Sequence, residues 1–219
     1  IDENSLQMER YILHTVDLLL PVSKRYSQII QEKYPFCKEK TAYLHNGVEK
    51  INLECGKVQR EKGRIIAVGG DRKLKNNVTI ARAMSRVNDD SILSVYGHLY
   101  HPYDLPKGNN IEYVGLVPQE QLYKEMMRSE LFVLNSTIES FGLTVFDALQ
   151  CGCSVLVSNA AGALDLLDVK ENDVIFDPMN ENEIASKIDY LLANPNNARL
   201  VSSLDFDRIS YQAEVEKLE

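Results

Sequence analysis

The sequence predicts an α/β protein, a doubly wound parallel sheet of the Rossmann-like kind, and three observations carry that expectation. Short apolar runs alternate with longer amphipathic segments along most of the chain. Several of those runs are apolar almost throughout and close on Gly, Asn or Ser, as strands buried on both faces of a parallel sheet do. The intervening segments repeat apolar residues at spacings of three and four, the period of a helix with one buried face. Alternation of this kind folds as parallel strands joined by right-handed crossovers.

Taken in order, residues 17–23 (DLLLPVS) are expected to form a strand and residues 24–34 a polar helix, with a linker at Pro35. Further strands are expected at 41–45, 64–69, 92–97, 111–115, 131–136, 154–159 and 173–177. Between them, Ile80, Ala83, Met84 and Val87 predict a helix over 76–87, and Leu122, Met126 and Met127 one over 119–129. A helix is expected to start at Gly142 and run to Cys151. Ile184, Ile188, Leu191 and Leu192 predict another over 183–193, and 205–218 reads as a closing polar helix.

Composition narrows the function classes. The 219 residues carry a formal net charge of −8, which argues against binding bulk nucleic acid or an anionic membrane surface. A charged share of 26% and a hydrophobic share of 44% fit a soluble globule, so disorder and coiled coil are poor readings. The apolar run at 18–22 is far too short to span a bilayer. Cysteines at 37, 55, 151 and 153 show no scaffold-like spacing and predict a reduced, cytoplasmic protein. Cys151 and Cys153 read as packing residues rather than a metal pair.

In doubly wound sheets ligands bind at the C-terminal ends of the strands, so the loops there are where chemistry is sought. The first follows RIIAVG and runs Gly69, Gly70, Asp71, Arg72, Lys73, Leu74, Lys75. Glycines admit close backbone approach, and Arg or Lys can clamp a pyrophosphate; a solvated basic turn has the same composition. Neither G-x-G-x-x-G nor a Walker A lysine is present. The second loop follows LFVLNS. Gly142 at a helix start exposes free amides at the positive end of the helix dipole, a ready anion site. Glu139 beside it and Asp147 one turn on cannot bind phosphate, but both can accept hydroxyls. A diphosphate between two sets of hydroxyls is a nucleotide-sugar. The competing reading is a dipole-stabilising acid and an exposed Asp.

The segment ESFGLTVFDALQCGCSVLVSNAAG resembles the signature of the retaining, family-4-type (group 1) glycosyltransferases of the GT-B fold. YLHNGVE is similar to that family's P-N-G-V-D turn, and VGGDRKLKNN to its V-G-R…K-N loop. IEYVGLVPQEQLYKEMMRSELFVLNS and HTVDLLLPVSKRYSQII also match its pattern in order. The resemblance implies that residues 1–38 are the tail of an N-terminal acceptor domain plus linker. Residues 39–219 would be the Rossmann-like nucleotide-sugar-binding domain, the C-terminal half of a GT-B enzyme. It implies catalytic roles for Glu139, Arg72 and Lys75, with the sugar on Glu139 and the diphosphate on the two cations and the backbone of Phe141, Gly142 and Leu143. The Gly69–Gly70 turn would approach the donor, Asp147 would hold the ribose, and Gly115–Leu116–Val117 would lie against the nucleobase.

The implied partners are a nucleotide-sugar donor, a carbohydrate or lipid-linked acceptor and the missing N-terminal domain. No nucleic acid, cofactor or metal is expected, and no membrane contact through this domain. The sequence departs from the family at three places: Gly70 falls where the family has Arg, Asp147 where it has Glu, and Ala161–Asp165 replaces Gly-Gly-x-x-Glu. Those departures support an alternative, a glycosyltransferase-like accessory subunit that binds without turnover.

Overall fold

The computed structural model describes residues 3–52, 58–88 and 90–218. At its centre lies a six-stranded parallel sheet of β1 (Arg64–Val68), β2 (Ile92–Tyr96), β3 (Ile111–Gly115), β4 (Leu131–Leu134), β5 (Ser154–Ser158) and β6 (Val174–Ile175). The strand order is β3-β2-β1-β4-β5-β6, and the direction of winding reverses between β1 and β4. This is the doubly wound arrangement expected from the alternation.

Neighbouring residues on each strand point to opposite faces, and in the central strands β1, β4 and β5 both faces are buried. Ile65, Ala67, Leu131, Val133 and Leu156 pack with Ile80 and Met84 of α3 (Asn77–Ala83) and its 3₁₀ extension, and with Ile184 and Ile188 of α6 (Glu181–Ala193). Ile66, Phe132, Leu134, Val155 and Val157 face the other way. They meet Met126 of α4 (Gln119–Arg128), Phe146 and Leu149 of α5 (Leu143–Gln150) and Leu200 of α7 (Asn197–Ser202). Helices on both layers explain why these strands read as unbroken apolar runs. Burying them is the main stabilising term, roughly 1.5–3 kcal/mol for each large side chain.

The amino-terminal part corrects the expected pattern. Residues 17–23 and 41–45 are not strands of the sheet; they pair with each other through a single parallel bridge, Leu19 to Thr41. Leu19 donates to Lys40 O at 2.7 Å, Ala42 to Leu19 O at 3.0 Å and Leu44 to Pro21 O at 3.0 Å. Pro21 has no amide to donate and no third strand adjoins among the described residues, so the ladder stops there. Before it comes α1 (Glu3–Thr15), which the apolar spacing did not announce because only Leu13 of that helix is buried. The predicted helix after residue 23 is α2 (Lys24–Lys33), capped by Ser23 Oγ accepting from Tyr26 N at 3.1 Å.

The closing helix is also shorter than expected. Asp205 Oδ1 accepts the amides of Asp207 at 3.2 Å and Arg208 at 3.3 Å and so builds a turn. Ser210 then caps α8 (Tyr211–Glu216), accepting from Ala213 N at 3.2 Å. Asp and Ser favour such local bonds over continuing a helix. Among the described residues no helix is long and apolar enough to cross a membrane. Cys37, Cys151 and Cys153 are buried, and Cys55 lies outside the described residues. Burial pushes the Cys153 thiol up to about 12, in keeping with a packing role.

Candidate functional site

The reversal of winding between β1 and β4 leaves their two C-terminal loops side by side. The first loop begins with Gly69 and Gly70, whose amides both donate to Tyr96 O, at 2.7 and 2.8 Å. At Gly70 φ is +60°, and a Cβ there would lie 1.9 Å from the carbonyl oxygen of His98. Backbone from the loop after β2 thus fills the space that a side chain at position 70 would need. Asp71 fastens the same junction by accepting Tyr100 N at 2.8 Å and His101 N at 2.5 Å. Burial pushes the Asp71 carboxyl up, yet these amides outweigh it and hold the group below its ordinary value.

Beyond this pin, Arg72 and Lys73 are exposed, with no ion pair among the described residues. Lys75 turns inward to form an ion pair with Glu139 on the second loop. Asn76 takes the left-handed conformation at φ +53° just before α3, and its side chain donates to Pro178 O at 2.7 Å. Asn135, at the end of β4, donates to the same carbonyl at 2.9 Å. Thr137 N donates to Leu74 O at 2.9 Å and ties the two loops directly.

On the second loop Ser136 Oγ donates to Glu139 Oε2 at 3.1 Å. The backbone of Glu139 bridges Ala161, and Phe141 O accepts Ala163 N at 2.6 Å. Gly142 sits at φ +99° immediately before Leu143, the first residue of α5, a conformation that favours glycine. The start of α5 lies beside the Lys75–Glu139 pair, since a Cβ at Gly142 would fall 3.4 Å from Glu139 Cγ. Asp147, one turn along α5, has no side-chain hydrogen bond among the described residues, and burial pushes its carboxyl up to about 6.

Of the residues predicted from sequence, Gly69, Gly70, Arg72, Lys75, Glu139, Phe141, Gly142 and Leu143 come together across β1 and β4. Gly115, Leu116 and Val117 lie at the end of β3, two strands from β1, joined to the group through Gly97 N donating to Gly115 O at 2.8 Å. Leu116 is 74% exposed there, while Val117 packs on the core. Ser136, Asp71 and the Asn76–Asn135 pair were not predicted as site residues. Asn135 and Ser136 directly follow β4, and that position is the signal available in the sequence, whereas Asp71 and Asn76 lie further along the loop between β1 and α3. Among the described residues no three His, Cys, Asp or Glu lie close enough together to hold a metal ion.

The sheet reverses its winding where the loops after β1 and β4 bring a basic and an acidic side chain beside a helix start, and this defines a doubly wound α/β domain. Residues 55–203 match the family "Glycosyl transferases group 1", and the chain belongs to that family. It is 26% identical over 177 residues to N-acetylgalactosamine-N,N'-diacetylbacillosaminyl-diphospho-undecaprenol 4-alpha-N-acetylgalactosaminyltransferase of Campylobacter jejuni, covering 77% of this chain and 48% of that protein. An uncharacterized glycosyltransferase of Methanocaldococcus jannaschii is 23% identical over 198 residues, covering 80% and 51%. The chain thus spans about half the length of the curated relatives it matches. Among solved structures, Anabaena HepE in complex with UDP and glucose superposes with a TM-score of 0.75 at 15% identity, over 100% of this chain and 66% of that one. Sucrose-phosphate synthase from Thermosynechococcus elongatus gives 0.76 at 20% identity, over 99% and 60%. At these identities the likeness is one of fold, that of GT-B glycosyltransferases.

Proposed function

We propose that this chain is the donor-binding part of a retaining glycosyltransferase and holds a nucleoside-diphosphate sugar across β1 and β4. The observation that carries the reading is the meeting of Lys75, Glu139 and the start of α5 at the switch point of the sheet. In this reading Arg72, Lys75 and the first amides of α5 take the diphosphate, and Glu139 accepts hydroxyls of the sugar. Asp147 accepts the ribose hydroxyls, and the backbone of Gly115–Leu116–Val117 lies against the base. As the glycosyl bond breaks, negative charge grows on the departing diphosphate, and fixed cations and amides stabilise it without an added metal. Support comes from the family itself and from a fold neighbour that holds UDP and glucose.

The acceptor, a carbohydrate or lipid-linked hydroxyl, would be positioned by the remainder of a two-domain enzyme. In this division residues 1–38 belong to the partner domain and residues 39–219 to the donor domain. The chain alone therefore binds donor and does not transfer, since nothing holds a hydroxyl against the anomeric carbon. The test is saturation-transfer titration of UDP-, GDP-, ADP- and dTDP-sugars against the chain. One series should bind, and Lys75→Ala should weaken it. No binding by any of the four sinks the donor reading, and robust transfer by the chain alone sinks the division of labour.

A further inference from the structure

Lys75 and Glu139 are assigned by the donor reading to different parts of one ligand, yet in the structure they hold each other. The ammonium of Lys75 is ion-paired with Glu139 Oε2, and Ser136 Oγ donates to the same oxygen at 3.1 Å. Their side chains are only 25% and 13% exposed, so this is not the loose pair of an open surface. The bond from Thr137 N to Leu74 O, 2.9 Å, holds the two loops at this separation. Arg72 and Lys73, on the same loop, are exposed and carry no such partner among the described residues. One cation of the cradle is therefore already neutralised.

We propose that Glu139 acts as a stand-in anion on Lys75 and that an incoming diphosphate displaces it. This rests on the donor reading above. Ser136 is then a positioning residue. Its bond to Glu139 does not involve Lys75, so it retains the carboxylate at the site when the ammonium turns to phosphate. The exchange gives the site a preference. A nucleotide-sugar compensates the displaced carboxylate with sugar hydroxyls, whereas a spent nucleoside diphosphate does not. Glu139 therefore competes with the spent nucleotide for Lys75 and favours its release after transfer.

The test is a double-mutant cycle read by calorimetry, using UDP, GDP, ADP and dTDP, with inorganic pyrophosphate as the probe that has no base. Glu139→Gln leaves Lys75 without its competitor. The nucleoside diphosphate that binds the wild-type chain should bind this variant about three- to tenfold tighter, the scale of one released ion pair. In a Lys75→Ala background the same change should have no effect. Ser136→Ala should weaken the nucleotide about two- to threefold, and that loss should vanish once residue 139 is Gln. Should Glu139→Gln fold poorly, the carboxylate ¹³C signal of Glu139 in the wild-type chain gives a second measurement, and it should move as nucleotide is added. Unchanged or weaker binding by a folded Glu139→Gln, tightening that persists without Lys75, or a Glu139 signal that stays still overturns the exchange and leaves the donor reading standing. No binding of any of the five probes to any variant overturns the donor reading, and the exchange with it.

Discussion

Asp165 closes the amino end of α2: its Oδ2 accepts the backbone amide of Lys24 at 2.6 Å and meets His45 Nε2 at 3.1 Å. Close by, Gly162 lets two backbones touch, since a Cβ there would fall 2.4 Å from both Ser140 O and Ser23 Cβ. The segment from Ala161 to Asp165 thus binds the amino-terminal unit on one side and the Glu139–Phe141 loop on the other. Through this hook the position of α2 bears directly on the candidate site.

Asp165→Ala removes the acceptor for the Lys24 amide and the partner of His45 together. Loss of charge-assisted bonds at a shielded carboxylate costs about 1–3 kcal/mol, and Asp165→Asn, which keeps an acceptor oxygen, should lose less. Urea unfolding measures both. Limited proteolysis should show residues 16–45 becoming cleavable first in the alanine variant. Equal stability of the wild-type and alanine chains would mean that the hook is not what holds this unit.

At Gly70, where the resemblance implies an arginine, the geometry says why one would not fit. Any side chain meets the His98 carbonyl oxygen at 1.9 Å, and φ of +60° disfavours residues other than glycine. Gly70→Ala should destabilise by about 2 kcal/mol or more, because backbone rather than a flexible side chain must move. Gly70→Arg should do the same and should not tighten diphosphate binding. A stable Gly70→Arg chain with improved affinity would refute this account.

Most of the sheet was legible because its central strands β1, β4 and β5 are buried on both faces and so stand out as apolar runs. The resemblance alone brought Lys75 and Glu139 to one ligand; the strand order that sets β1 beside β4 came with the structure. Their ion pair could not be foreseen; it depends on a side-chain turn that spacing does not encode. The amino-terminal unit misled for the opposite reason. DLLLPVS has strand composition, but Pro21 and the lack of a third strand leave only one bridge, and α1 buries too little to show a period. The contact of His45 with Asp165 joins positions 120 apart, which no local pattern announces.

Arg72 and Lys75 should separate by what they already hold. Arg72→Ala removes an exposed, unpaired guanidinium and should leave stability unchanged. Under the donor reading it should still weaken nucleoside diphosphate by roughly 1.5–3 kcal/mol, the range of a hydrogen bond to a charged group. Lys75→Ala should weaken binding too, and should also lower stability by about 1 kcal/mol through the loss of its bond to Glu139. Titration with the matching nucleoside supplies the control. Equal losses for nucleoside and nucleotide would remove both residues from the phosphate site.

Asp147 carries a pH signature of its own. Burial raises its carboxyl from the ordinary 3.8 to about 6. Between those values the folded chain holds a proton that the unfolded chain has released. The stability this group contributes is therefore complete below about pH 4 and is lost as the pH rises through about 6. Asp147→Asn should stabilise the chain at pH 7 by about 1–3 kcal/mol and leave it unchanged near pH 4. Ribose hydroxyls would donate to the ionised form, so nucleoside binding should tighten as the pH rises from about 5 to 7 in the wild-type chain. A nucleoside suits this measurement because it has no phosphate to titrate in that interval. In Asp147→Asn the profile should be flat and the affinity lower at pH 7, despite the gain in stability. Parallel pH profiles for the two chains would show that Asp147 does not touch the ribose, whatever its burial does to the fold.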